Sequence, residues 1–149
     1  MTVAVNDANV VSFINNNAAL HAVALANPGA DQPLIEACNQ VVSSVSVPGD
    51  MISASQFLSL LDGAELGAMS TPQVALVTLY ASVQNLEMGD SSIQSKLDTL
   101  FSQFPTSLAA VRSKYTRNGS RWEGQFGKGL QADQNTLDKA RNSGDGHNF

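Results

Sequence analysis

His21, Cys38 and His147 are the side chains in this 149-residue sequence best suited to nucleophilic or metal chemistry. A thiol needs a base within hydrogen-bond reach, and a metal needs three or four ligands at matched spacing. Cys38 instead falls in the apolar helical pattern Leu34, Ile35, Ala37, Cys38, Val41, Val42, which predicts a small buried core residue. His21 sits in a mostly apolar segment and reads as a satisfied core histidine, while His147 lies in a Gly- and Asn-rich tail. No His, Cys or carboxylate stands at ligand spacing to either, so the expected catalytic, metal-ligating and cofactor-binding residues are none, and no cofactor is expected. A single cysteine also excludes an internal disulfide.

Two carboxylate pairs have the spacing of general acid–base partners, Asp62/Glu65 and Glu87/Asp90, each three apart. Acid–base work requires two carboxyls in one pocket with separated pKa values. Both pairs adjoin glycines at helix boundaries, where acids serve as caps, and Asp90 at a helix start also meets the macrodipole favourably. Neither GxGxxG nor GxxxxGK[ST] occurs, so no phosphate cradle is expected. Asn118-Gly119-Ser120 matches a glycosylation sequon, but its physical content is a turn followed by an N-cap.

Chemistry of another kind concentrates in Arg112–Gly127. It holds the only Trp, Trp122, with Tyr115, Phe126 and the cations Arg112, Lys114, Arg117 and Arg121. Cations interleaved with aromatics suit contact with protein, or contact with phosphates while a ring stacks on a base. The chain is acidic overall, with a pI near 4.7, which counts against nucleic acid. These seven residues are therefore the candidate protein interface, with nucleic-acid binding through residues 112–128 as the alternative.

Charge supports a docking role for the stretch. Residues 1–95 carry eight acids and no Lys or Arg, a charge of −8, whereas residues 96–149 carry eight bases and five acids, a charge of +3. Such segregation predicts either head-to-tail contact between copies or neutralisation within one fold. Charged residues are only 14% of the chain, low against the roughly 25% of an average domain, as in a protomer whose surface is covered by neighbours or in a monomer with an uncharged polar surface. The N-terminus has no cationic region, and no apolar run approaches the roughly 20 residues of a membrane span. A soluble protein made in a cytoplasm, with no membrane partner, is expected.

The elements that position these residues read as all-α. Residues 1–44 form short helices, with Asn6 or Asp7 capping the first and Pro33 opening one that runs to about Ser44. One short extended segment is expected near 45–52 from Val45-Ser46-Val47 and the Pro48-Gly49-Asp50 turn. Residues 53–127 form the helical core. Ser53/Gln56 and Ser120/Glu123 are capping boxes, and Ser70-Thr71-Pro72 restarts a helix. From Gln73 to Leu86 there is no charge, and apolar side chains surround the helix. This predicts a buried central helix over 72–87, packed antiparallel with helices 91–104 and 106–116. Asn118-Gly119 turns the chain, a last helix spans about 133–141, and 142–149 is a flexible tail. The whole is one domain, 1–141, of seven to nine helices.

Several of these segments occur in a familiar order. Glu65-Leu66-Gly67-Ala68-Met69, Thr71-Pro72-Gln73, Gly89-Asp90, the Phe101–Phe104 segment and Ser120-Arg121-Trp122-Glu123-Gly124-Gln125-Phe126-Gly127 follow one another. Over about residues 51–140 this resembles a group of small proteins encoded in the structural gene clusters of tailed bacteriophages and prophages. In that group EL-x-A-[LM] precedes a helix and SR-x-E-x-x-[LF]-G follows the next pair. The resemblance implies a non-enzymatic structural or assembly protein of a virion. Its partners would be further copies of itself and neighbouring capsid, neck or tail proteins. It carries no residue roles with it.

Overall fold

In the computed structural model, which describes residues 2–143, the chain is mainly helical. In order it forms α1 (Asp7–Asn16), α2 (Ala18–Ala26), α3 (Gln32–Asn39), β1 (Val41–Pro48), β2 (Met51–Ser53), α4 (Ala54–Ser59) and α5 (Gly63–Ala68). Then come α6 (Thr71–Ala81), β3 (Asn85–Glu87), α7 (Ser91–Leu100), α8 (Pro105–Arg112), β4 (Thr116–Ser120), α9 (Arg121–Phe126) and α10 (Gln134–Arg141).

Helix starts follow the capping residues. Asn6 Oδ1 accepts from the Asn9 amide at 2.9 Å, and Asn17 Oδ1 does the same for Leu20. Complete capping boxes open α4 (Ser53/Gln56), α6 (Ser70/Gln73) and α9 (Ser120/Glu123), each satisfying two amides that the helix leaves without partners. Asp133 caps α10 through the Thr136 amide at 2.7 Å.

Helix ends and strands depart from the sequence expectation. The helix opened by Pro33 stops at Asn39, and Val41 and Val42 begin β1 rather than completing a helical stripe. The predicted extended segment near 45–52 is two strands, β1 and β2. The helix expected over 72–87 stops at Ala81, and Asn85–Glu87 becomes β3, antiparallel to β2 with Ile52 opposite Leu86. Asn118-Gly119 is not a turn but part of β4, which pairs with β1. Each added strand is short, and its pairing partner lies more than thirty residues away.

The chain divides into two compact units. One comprises residues up to Val47 and from Asn118 onward. Its core joins Val10, Ile14 and Leu20 of the first helices to Leu34, Cys38, Trp122, Phe126 and Leu137. Asn39 ties this unit's loop before α10 from both sides, donating to the Ala132 carbonyl at 2.9 Å and accepting from its amide at 2.7 Å. The other unit, Pro48–Arg117, packs Phe57, Val77, Leu86, Met88, Leu97 and Phe101. In it α6 is not a buried central helix. Only Val77 of α6 is buried, and the helix rests on α4 along that side. Of the predicted tail, residues 144–149 lie outside the described residues.

Candidate interaction surface

The seven residues expected to form one interface are divided between the two units. In Pro48–Arg117, Arg112 Nε donates to Asp98 Oδ1 at 3.1 Å, and the Tyr115 hydroxyl donates to the same oxygen at 2.9 Å. The bond from Arg112 is the main reason the Asp98 carboxyl lies below its ordinary value, with Tyr115 acting in the same direction. Burial, then the neighbouring Asp98 carboxylate, pushes the Tyr115 phenol well above its usual range. Arg117 Nε donates to Asp50 Oδ1 at 3.1 Å, while Lys114 is exposed.

In the other unit, Arg121 is half-buried, and Trp122 and Phe126 are 1% and 4% exposed. They are core residues, not surface anchors. Their rings lie 4.4 Å apart, and Phe13 of α1 meets both edge-on at 5.9 and 5.3 Å. Helical spacing put the two rings on one face, as the sequence predicts, but that face turns inward onto α1.

Charge segregation along the chain does not persist in the fold. Counted by unit, the residues outside 48–117 sum to −3 and Pro48–Arg117 to −2. Acids of the base-free region meet later cations directly. Asp50 pairs with Arg117, and Asp31 with Arg141. Burial raises the Asp31 carboxyl, as does its hydrogen bond with Asp138, against the pull of the Arg141 guanidinium.

The paired carboxylates are caps. Asp62 Oδ2 accepts from the Glu65 amide at 3.0 Å at the start of α5. Glu65 reaches across to α8, whose own N-cap, Phe104, has no capping oxygen. There Glu65 accepts from the Thr106 amide at 3.1 Å and the Ser107 amide at 2.6 Å. Asp90 Oδ1 accepts from the Ser92 and Ile93 amides at the start of α7. Glu123 does more than its capping box required. It is buried, and while Oε1 accepts from the Ser120 amide, Oε2 holds the Gly129 amide at 2.7 Å and so fixes the loop after α9.

Cys38 is fully buried, and burial pushes its thiol up to about 12, although the Arg121 charge pulls the other way. Such a thiol stays protonated and is a poor nucleophile at neutral pH. His21 Nδ1 is buried without a hydrogen-bond partner, contrary to the satisfied histidine expected. His147 lies outside the described residues. Among the described residues no three His, Cys, Asp or Glu side chains are placed to hold a metal, and no helix is long and apolar enough to cross a membrane.

What remains open is apolar. On α6 and the turn after it, Val74, Leu76, Leu79 and Val83 are 43%, 43%, 59% and 42% exposed. Pro72, Leu76 and Leu79 recur at intervals of four and three along one side of α6, and Val83 lies in the turn after it. An open groove of about 570 Å³ runs beside this stripe. It separates α6 from α7 and is lined by Gln73, Leu76, Tyr80, Ser95, Lys96, Thr99 and Leu100. The signal for this surface is present in the sequence as the charge-free helix, whose apolar pattern predicts burial in the core. Comparison with family models, curated proteins and solved structures finds no match for this chain.

Proposed function

We propose that this chain is a non-enzymatic structural or assembly protein of a tailed-bacteriophage virion. It works through contacts with further copies of itself and with neighbouring capsid, neck or tail proteins. The observation that carries the reading is the solvent-exposed apolar seam on α6. Contiguous exposed apolar surface on a soluble domain marks a place where another surface docks. The order of motifs over residues 51–140 supports the phage setting. The buried, protonated Cys38 and the use of Asp62, Glu65 and Asp90 as helix caps leave those residues occupied with structure. The alternative nucleic-acid reading drew on the cations of 112–128, and Arg112 and Arg117 face carboxylates instead.

Mass spectrometry of purified particles and of their assembly intermediates tests the proposal. The chain is expected in one or both, at a copy number matching a ring or lattice of protomers. Its absence from both refutes a virion role. Retardation of DNA at low salt that falls steeply as salt rises would instead favour the alternative.

A further inference from the structure

We infer that the groove between α6 and α7 receives an amphipathic helix of a different protein, one whose apolar stripe is bordered by a carboxylate. This rests on the proposed docking role and names the chemistry of one neighbour that docks.

The walls of the groove set the shape of the occupant. Gln73, Leu76 and Tyr80 of α6 stand three and four residues apart and form one ridge of that helix. Lys96, Thr99 and Leu100 of α7 have the i, i+3, i+4 spacing and form the other ridge. A third helix laid along two such ridges interdigitates side chains of the same spacing. The open volume of about 570 Å³ falls within the roughly 300–1,000 Å³ of ordinary binding sites. Val74 and Leu79, 43% and 59% exposed, do not line the groove and extend the apolar surface along α6. The occupant is therefore larger than a small molecule seated in the groove.

The polar groups of the groove set the charge. Of the described residues that line it, Lys96 alone is charged. Neither its ammonium nor the Tyr80 and Ser95 hydroxyls has a hydrogen-bond or ion-pair partner among the described residues. Asp98, two residues along α7 from Lys96, is already held by Arg112 and Tyr115. A purely apolar occupant would strip water from the Lys96 ammonium and leave nothing in its place, which costs free energy. A carboxylate on the occupant supplies a charge-assisted hydrogen bond instead. This chain has no helix of that kind to offer. Among the described residues, the helices with an exposed large apolar side chain are α2, α4 and α6, and none of the three contains an acid. The carboxylate therefore comes from another protein.

The size of the face sets the strength. An eleven-residue helix is about 16 Å long, so the contact falls in the small class that buries less than about 1,200 Å² in total. Docking is reversible, with a Kd between roughly micromolar and millimolar.

Panning a random library of peptides of about fifteen residues against the full chain is the test. The wild type is expected to enrich peptides with aliphatic or aromatic residues at i, i+3 or i+4 and Asp or Glu beside them. Lys96→Glu, at an exposed position, is expected to enrich the same apolar spacing with Lys or Arg instead. The best acidic peptide, titrated into the labelled chain, should shift the amides of α6 and α7. Its Kd should rise about tenfold or more in Lys96→Glu and in Leu76→Gln, and stay unaltered in Leu25→Glu, 60% exposed on α2. Enriched peptides without an acidic bias overturn the inference, as does binding that neither Lys96→Glu nor Leu76→Gln weakens. So does the absence of any enriched peptide, octanoate saturating the same amides at micromolar concentration, or a chain that sediments as a dimer through Leu76. The outcome is separable from the virion proposal. Acidic-helix binding by a chain absent from particles keeps this contact and removes that role, whereas a chain found in particles that binds no such helix does the reverse.

Discussion

Replacing Trp122 with Ala separates a core residue from an interface anchor. At 1% exposure the indole meets the rings of Phe13 and Phe126 and belongs to the core cluster built with apolar side chains of α1, α3 and α10. Truncating a buried Trp to Ala costs about 3–5 kcal/mol, since the neighbours only partly collapse into the space left. The two ring contacts, at 4.4 and 5.9 Å, place the expected loss in the upper half of that range. Against a total stability of about 5–15 kcal/mol, such a loss takes this unit close to unfolding at room temperature. Urea titration followed by far-ultraviolet circular dichroism measures it, because the substitution removes the chain's only Trp and with it the fluorescence signal. In the wild type the same Trp is its own control. Its emission should be blue-shifted and resistant to acrylamide until urea unfolds the chain. A loss below about 1 kcal/mol, joined to a solvent-exposed emission spectrum, would refute the assignment of Trp122 to the core and return it to the surface.

Three further substitutions address Pro48–Arg117. A Cβ on Gly49 would lie 1.9 Å from the Lys114 carbonyl oxygen, and the Gly49 amide already bonds the Tyr115 carbonyl at 2.7 Å, so Gly49→Ala should cost at least about 2 kcal/mol in thermal melts. Gly67→Ala, in α5 with nothing within 4 Å, should be neutral or stabilising by up to about 1 kcal/mol, and equal melting temperatures for the two variants would contradict the close approach. Burial would raise the Glu65 carboxyl, but the bonds from Ser107 and Thr106 outweigh it and hold it below its ordinary value. A lowered folded-state pKa gives stability that is present above the unfolded value, about 4.3 for Glu, and is lost as pH falls through the folded value. Melting temperature should therefore hold from about pH 7 to 5 and drop below about pH 4, with a shallower acid limb in Glu65→Gln. An identical limb in that variant would exclude Glu65 as the cap of α8.

Local chemistry was legible where it acts within a few residues. The capping boxes Ser53/Gln56 and Ser120/Glu123 and the Ser70 restart all form, because a side chain and the amide three residues on need no tertiary partner. The strands were not legible for the opposite reason. β3 is three residues long and is held by β2 across a separation of more than thirty residues, and nothing in Asn85-Leu86-Glu87 itself favours an extended chain. Val41 and Val42 continue the helical stripe of α3 in sequence, yet both belong to β1, a strand whose partner β4 lies about seventy residues further on. Glu65 illustrates both cases at once. Its place in a cap was readable, but not that it caps α8, forty residues away, instead of its own helix.

The candidate surface was missed by a reasonable inference. A helix apolar on nearly every side is expected to be buried on nearly every side, and for α6 that expectation holds only toward Val77. Hydropathy measures how strongly a side chain avoids water and says nothing about what excludes the water. Within one chain the excluding surface is the core, whereas for a protomer it is the next subunit, and the two leave the same pattern in sequence. Burial in the isolated chain tells them apart. Leu97 and Leu100 on α7 and Phe101 just after it are 0%, 6% and 0% exposed, while Leu79 on the more apolar α6 of the same unit is 59% exposed. The apolar excess of α6 over what its own unit covers is therefore the quantity that points outward. It directs the search for partners to this helix, away from the cation–aromatic stretch, whose rings are already enclosed.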